Sequence, residues 1–152
     1  MPAGSREYLS FRLGGEEYAI EILHVQEIRS HARPMRVPQS APQVLGVVNL
    51  RGVIVPIVDL RLHLGCAQVA YDTATVVIVL NLQRATVGVV VDSVSDVIVL
   101  SPEAIRPAPV LASQQIDAAF VRGVATVSDR MLIMMDIEAL LNGAGLGLSG
   151  AA

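Results

Sequence analysis

The stretch VLGVVNLRGVIVPIVDLRLHLG, Val44 to Gly65, decides how the rest of the chain is read. Val47 to Leu50 and Val53 to Val58 are rich in β-branched residues, which suit a pleated, half-buried surface. Between them stands Arg51-Gly52, and glycine takes positive φ at no steric cost, so the two runs read as a hairpin. The sequence leaves the turn type open. Pro56 lies inside the second run with no N–H to give, which places it at a sheet edge or a bulge. Leu60, Leu62 and Leu64, followed by Gly65, read as a helical turn ended by a glycine cap.

Working outward, Tyr8 to Leu13 and Tyr18 to Ile20 flank Gly14-Gly15 and form a second hairpin. A brief turn at Glu21 to His24 leads to a strand at Val25-Gln26-Glu27-Ile28. The three prolines between Arg33 and Pro42 make an extended connection that cannot be helix interior. Beyond the central stretch, Ala67 to Thr73 is a polar connector, and after it the same landmarks return. Val25, Glu27 and Ile28 correspond to Val94, Asp96 and Val97 at a spacing of 69 (25 to 94), and Arg36-Val37-Pro38 meets Ile105-Arg106-Pro107 at that spacing. Gly46, Asp59 and Leu60 correspond to Gly123, Asp136 and Ile137 at a spacing of 77 (46 to 123), the longer Pro107 to Phe120 connector absorbing the difference. Ser128-Asp129-Arg130 replaces the Arg51-Gly52 turn. The chain therefore reads as an internal duplication, each copy with about five short strands, which favours small barrels over an open sheet.

Hydrophobic residues make up 53% of the 152, with 16% charged and 3% aromatic, so the core is built from Val, Leu, Ile and Met. No apolar run reaches the roughly 18 to 20 residues of a membrane helix, and MPAGSREYLSFRLGG lacks the apolar region of a secretory signal. A soluble protein without direct membrane insertion is expected. Cys66 is the single cysteine, which excludes an internal disulfide. The net charge is −3 and every one of the 11 basic residues is arginine, which removes lysine Schiff-base and Walker-type chemistry. Scattered arginines and five aromatics make no nucleic-acid footprint.

Catalysis finds little support. His24, His31 and His63 lie in unlike contexts, no G-x-S-x-G elbow occurs, and Cys66 carries no nucleophile signature. His63 and Cys66 could supply two metal ligands where a structural zinc site needs four. The Gly143 to Gly147 string follows no strand and precedes no helix, so it cannot cradle a pyrophosphate. No catalytic, cofactor or metal set is assigned. Asp59 and Asp136 each end an apolar strand before a helical turn, where an Asp caps free N–H groups. Glu27 and Arg51 flank first-copy strands and have no second-copy counterparts of the same type and charge. Either they pair across neighbouring strands and orient the guanidinium at an interface, or they form an ordinary surface pair worth roughly 0 to 1 kcal/mol. Val76 to Leu80, Val87 to Val91 and Met131 to Met135 are apolar on both faces, while a lobe of roughly 70 residues covers only one. Either a shared core takes the surplus, or part of it stays exposed as an interaction patch.

Asn49 to Leu60, NLRGVIVPIVDL, resembles the signature of the CheW family of chemotaxis coupling proteins. The resemblance continues through Val25 to Arg29, Thr75 to Leu82, Val91 to Val97, Ile105 to Pro109 and Asp129 to Ile137, and covers roughly Tyr8 to Leu141. It implies an all-β fold of two SH3-like five-stranded barrels sharing a hydrophobic core. The whole chain, 1–152, would be one such domain, with lobes at 8–71 and 72–141 and a flexible Gly/Ala-rich tail at 142–152. It also implies a cytoplasmic, non-catalytic adaptor recruited to membrane-associated arrays. Such an adaptor links the cytoplasmic tips of methyl-accepting chemoreceptors to the regulatory domain of the histidine kinase CheA. Family coupling positions fall on Val25, Glu27, Gly46, Arg51, Gly52, Val76, Val77, Val94 and Val97. Glu27 and Arg51 are expected toward the receptor, while Val94 and Val97 stay open between contact and core. Met131, Met134 and Met135 stand where the family often has Leu or Ile, an exchange that flexible Met tolerates. The alternative is a small-barrel enzyme or ligand-binding protein using the cleft between lobes, which converging polar groups in that cleft would favour.

Overall fold

The valine-rich runs fold as strands. The computed structural model describes residues 4–30, 44–63, 74–82, 85–107 and 120–143, and within these the strands are β1 (Arg6–Leu13), β2 (Glu16–Glu21), β3 (Val25–Ser30), β4 (Val44–Leu50), β5 (Val53–Asp59), β6 (Val76–Asn81), β7 (Thr86–Val91), β8 (Ser93–Leu100), β9 (Val121–Val127) and β10 (Arg130–Met135). Two short helices follow β5 and β10: α1 (Leu60–His63) and α2 (Ile137–Gly143). The expected connectors at Arg33 to Pro42 and Ala67 to Thr73, the proposed cap Gly65, Cys66 and the residues after Gly143 lie outside the described residues. Gly143 closes α2, so the helix runs two residues into the stretch expected to be tail.

The central hairpin forms as its pattern requires. Leu50 pairs with Val53, and Arg51 and Gly52 take φ of 51° and 87°. Positive φ at both central residues marks a type I′ turn, whose twist matches the strands it joins. The Asn49 side chain accepts the Gly52 N–H at 2.8 Å and helps hold the turn despite the strain of an arginine there. Pro56 corrects the expectation of an edge. β5 lies between β4 and β7, yet pairing with β7 begins only at Ile57, so Pro56 interrupts no ladder on that side. The bulge is on β4, between Val44 and Gly46.

The two five-stranded sheets run β8-β1-β2-β10-β9 and β3-β6-β7-β5-β4. The expectation that the lobes follow the sequence halves, 8–71 and 72–141, is corrected by this order. Each sheet takes a two-strand hairpin from one half and three strands from the other. Aligning the orders matches β8 with β3, β1 with β6, β2 with β7, β10 with β5 and β9 with β4, and both sheets carry one parallel pair at the same place, β2–β10 and β7–β5. Duplication is thus expressed as an exchange of hairpins between the copies.

The exchange explains strands that are apolar on both faces. Along β6, Val77 and Val79 enter one barrel interior with Leu50, Val55, Ile57 and Val90. Ile78 and Leu80 face the opposite way, into a core shared with Leu9, Phe11, Tyr18, Ile133, Met135 and Leu140 of the other barrel. Along β10, Leu132 and Met134 fill the second barrel with Tyr8, Leu100 and Ala125, while Ile133 and Met135 face the shared core. Each buried aliphatic side chain contributes roughly 1.5–3 kcal/mol. The shared core is larger than either barrel interior, so burial joins the barrels into one body. Phe11 and Tyr18 stack there with centroids 6.1 Å apart, using two of the chain's five aromatics.

Candidate functional site

Each barrel brings its edge strands together with a carboxylate and an arginine. In one, Arg51 at the tip of the β4–β5 hairpin donates to Glu27 of β3 at 3.1 Å. In the other, Asp96 of β8 receives Arg130 Nη2 at 3.1 Å, and Arg130 also forks onto Glu17 at 3.2 and 2.6 Å. Glu27 and Asp96 stand 69 apart and are equivalent, so a carboxylate–arginine closure recurs in the second copy although neither Glu27 nor Arg51 has a counterpart of the same type. Its arginine follows the turn rather than sitting in it. Hydrogen bonds from Arg130 and then from Ser10, whose hydroxyl donates at 2.6 Å, hold the Asp96 carboxyl below the usual carboxylate range.

The first closure is the more open one. Arg51 is two-thirds exposed, and Glu27 Oε1 is buried without a hydrogen-bond donor, with Arg29 Nη1 3.9 Å away. Beside it lies a cavity of about 230 Å³ lined by Arg29, Ser30, Val48, Asn49, Leu50, Ile57, Val77 and Val79. An apolar floor with a polar rim suits an inserted side chain better than reaction chemistry.

The structure divides the nine candidate positions. Glu27, Arg51 and Gly52 gather at the hairpin tip, and Val77 lines the adjoining cavity. Val25 and Val76 are partly buried against the shared core. Gly46 is buried at the β4 bulge with φ 150°, a backbone role its equivalent Gly123 repeats at 156°. Val94 and Val97 lie on β8 in the other sheet, Val94 against the shared core and Val97 exposed at 49%. Four of the seven large apolar residues exposed among the described residues repeat as well. Ile28 and Ile54 flank the first closure, and their equivalents Val97 and Met131 flank the second, at spacings of 69 and 77. Ile54 and Met131 are not among the nine candidate positions, although the spacing of 77 relates them.

Between the barrels lies a buried ionic cluster that sequence reasoning missed. Arg61 of α1 is 2% exposed and forks onto Asp59, donating from Nε and Nη2 at 3.0 Å each, and donates from Nη1 to Asp92 at 2.8 Å. Burial lowers the guanidinium pKa, but the bonds to Asp59 and Asp92 outweigh it and the net direction is upward. Asp59 also accepts the Arg61 backbone N–H, and Asp136 accepts that of Ala139 at 3.1 Å, so both act as the expected helix caps. Polar groups also converge around Tyr8, Glu21, His24, Arg122 and Asp136. Arginines occupy the carboxylates there: Arg6 meets Glu21 at 2.8 Å and Arg122 meets Asp136 at 3.3 Å.

Two fused, equivalent barrels, with paired closures and exposed apolar residues beside each, define a double-barrel protein with two similar faces. Residues 7–145 match the family model described as CheW-like domain, and the chain belongs to the CheW family. It is 48% identical over 143 residues to a chemotaxis protein CheW of Klebsiella aerogenes, covering 94% of this chain and 86% of that one. A probable chemotaxis protein CheW of Rhizobium etli is 37% identical over 139 residues, covering 91% and 89%. The crystal structure of the scaffolding protein TtCheW from Thermoanaerobacter tengcongensis superposes with a TM-score of 0.79 at 29% identity, covering 89% of this chain and 86% of that one. Among the described residues no helix is long and apolar enough to cross a membrane, and no three His, Cys, Asp or Glu side chains converge as a metal site.

Proposed function

We propose that this protein is a non-catalytic chemotaxis adaptor that couples the cytoplasmic tips of methyl-accepting chemoreceptors to the regulatory domain of the histidine kinase CheA. It works in the cytoplasm, recruited to receptor arrays. One observation carries the reading beyond family membership: the same pair of exposed apolar positions recurs beside each barrel closure, Ile28 with Ile54 and Val97 with Met131. Two similar faces on one rigid body suit a protein that grips two partners and transmits geometry between them. We assign Val25, Glu27, Gly46, Arg51, Gly52, Val76, Val77, Val94 and Val97 to coupling. Exposed Arg51 and Val97 and half-buried Glu27 contact partners, while Val25, Gly46, Val76 and Val94 act by shaping the strands beneath. The unsatisfied Glu27 Oε1 supports a partner donor at the first closure, since a buried acceptor left unpaired costs about 1–3 kcal/mol.

The test is capture of a receptor signalling-tip fragment and of the CheA regulatory domain from the same organism by the wild type, Glu27→Lys and Arg51→Glu, with folding checked for each. The wild type is expected to bind both partners, and the variants to lose receptor capture by at least about tenfold while keeping the kinase. A wild type that binds neither would sink the adaptor reading. Variants that capture receptor normally would remove Glu27 and Arg51 from that interface.

A further inference from the structure

Among the described residues the chain crosses from one sheet to the other twice, between β2 and β3 and between β7 and β8, while α1 follows β5 and α2 follows β10. At the β7–β8 crossing stands Asp92, held from three directions. Its backbone N–H donates to the Arg12 carbonyl of β1 at 3.0 Å, and its Oδ2 accepts the Gly14 N–H at the β1–β2 turn at 2.8 Å. Its Oδ1 accepts from Arg61 of α1, which is forked onto the fully buried Asp59 at the end of β5. The first two ties belong to one barrel and the last to the other. A planar guanidinium with both carboxylates in its fixed fork resists rotation in a way that side-chain packing alone does not.

The other crossing lacks this device. The equivalent of Arg61 at a spacing of 77 is Glu138 of α2, and it faces His24 of the turn after β2 at 3.9 Å, with both side chains partly exposed. The carboxylates there are spanned instead by the half-exposed Arg122, which reaches Glu21 at 3.6 Å and Asp136 at 3.3 Å within one barrel, so the buried tie between barrels belongs to the β7–β8 crossing.

We propose that Arg61 is a positioning residue: by bracing Asp59 of one barrel against Asp92 at the entry to the other, it sets the angle between the barrels. On the adaptor reading above, on which this second step rests, that angle keeps the receptor-facing and kinase-facing surfaces in register. Arg61 touches neither partner in this scheme, and acts through the body that carries both surfaces.

The experiment uses the full chain with nitroxide labels at Asn81→Cys on β6 and Thr126→Cys on β9, both exposed, in a Cys66→Ser background. Pulsed electron resonance reads the distance between barrels, and receptor-dependent kinase stimulation is measured in parallel. Asp92→Ala removes the brace while sparing the Asp59 fork, so the buried carboxylate keeps its partner. The expected result is a broadened distance distribution and a loss of about tenfold in receptor-dependent stimulation, with the CheA regulatory domain still captured. Asp92→Glu, which keeps the charge, should restore both. Should Asp92→Ala not fold, Arg61→Lys carries the same readouts, because one ammonium cannot reproduce the fork. A role in stability alone would lower the melting temperature and leave the distance distribution of the folded protein unchanged. That outcome, or broadening with coupling intact, overturns the proposal. Failure of the wild type to couple receptor to kinase defeats the adaptor reading instead, and the distances then decide the brace by themselves.

Discussion

At the scale of single residues, burial decides which of the charge pairs matter. Glu27–Arg51 is exposed, and solvent limits a pair of this kind to roughly 0 to 1 kcal/mol, so its use lies in what it presents outward. Arg61–Asp59 is almost wholly enclosed, and removing one partner of such a pair typically costs about 3–5 kcal/mol because the other is left buried and charged. Asp96 titrates in a direction that can be checked. Its folded-state pKa is depressed, so its contribution to stability is complete above the usual carboxylate value of about 4 and is lost as pH falls through the lower folded value. Asp96→Asn should therefore flatten the fall of the melting temperature below about pH 4 relative to wild type. Equal slopes for the two proteins in an acid titration followed by calorimetry would show that Asp96 does not contribute there.

At the scale of elements, the bulged strand β9 needs a glycine for a stated reason. The segment after β8 returns to bridge Arg106 with Val124, its N–H groups and carbonyls meeting at 2.8 and 2.9 Å. A Cβ on Gly123 would lie 2.6 Å from the Arg106 carbonyl oxygen and 2.8 Å from Ile105 Cγ2, on a backbone at φ 156° that side chains avoid. Gly123→Ala should lower unfolding free energy by at least about 2 kcal/mol, read as a shift of the urea midpoint at unchanged slope. An unshifted midpoint would mean that the bridge yields freely. Much at this scale was legible in the sequence, because hairpins, caps and repeat spacings are local signals. Gly14-Gly15 and Arg51-Gly52 announce turns, and Asp59 and Asp136 announce helix starts. Strand pairing is not local. Nothing in the periodicity of Tyr8 to Ile20 says that its neighbours are β8 and β10, so halves were read as lobes. Arg61 was invisible for the same reason: it reads as the polar face of a helical turn, and Asp92 lies 31 residues away. Of the candidate site, the Glu27–Arg51 contact was foreseeable from flanking strands, while the packing of Val94 against the shared core and the exposure of Val97 required the pairing of β8 with β1, far away in sequence.

At the scale of the whole molecule, the exchanged hairpins make the barrels interdependent. Neither sheet can come apart without breaking pairings in both sequence halves, and the shared core is lined by both. Denaturation should therefore be one transition, with probes in either barrel giving coincident midpoints; two separated midpoints would mean that the barrels melt as independent units. The exchange also bears on how the chain is made. β1 and β2 are translated first, yet β1 needs β8, with Arg6 opposite Leu100, and β2 needs β10, with Tyr18 opposite Ile133. The leading hairpin thus has both flanks bare until first β8 and then β10 have been made. Until then a nascent chain of this design holds unpaired strand edges, a state in which sticking to a neighbour competes with waiting.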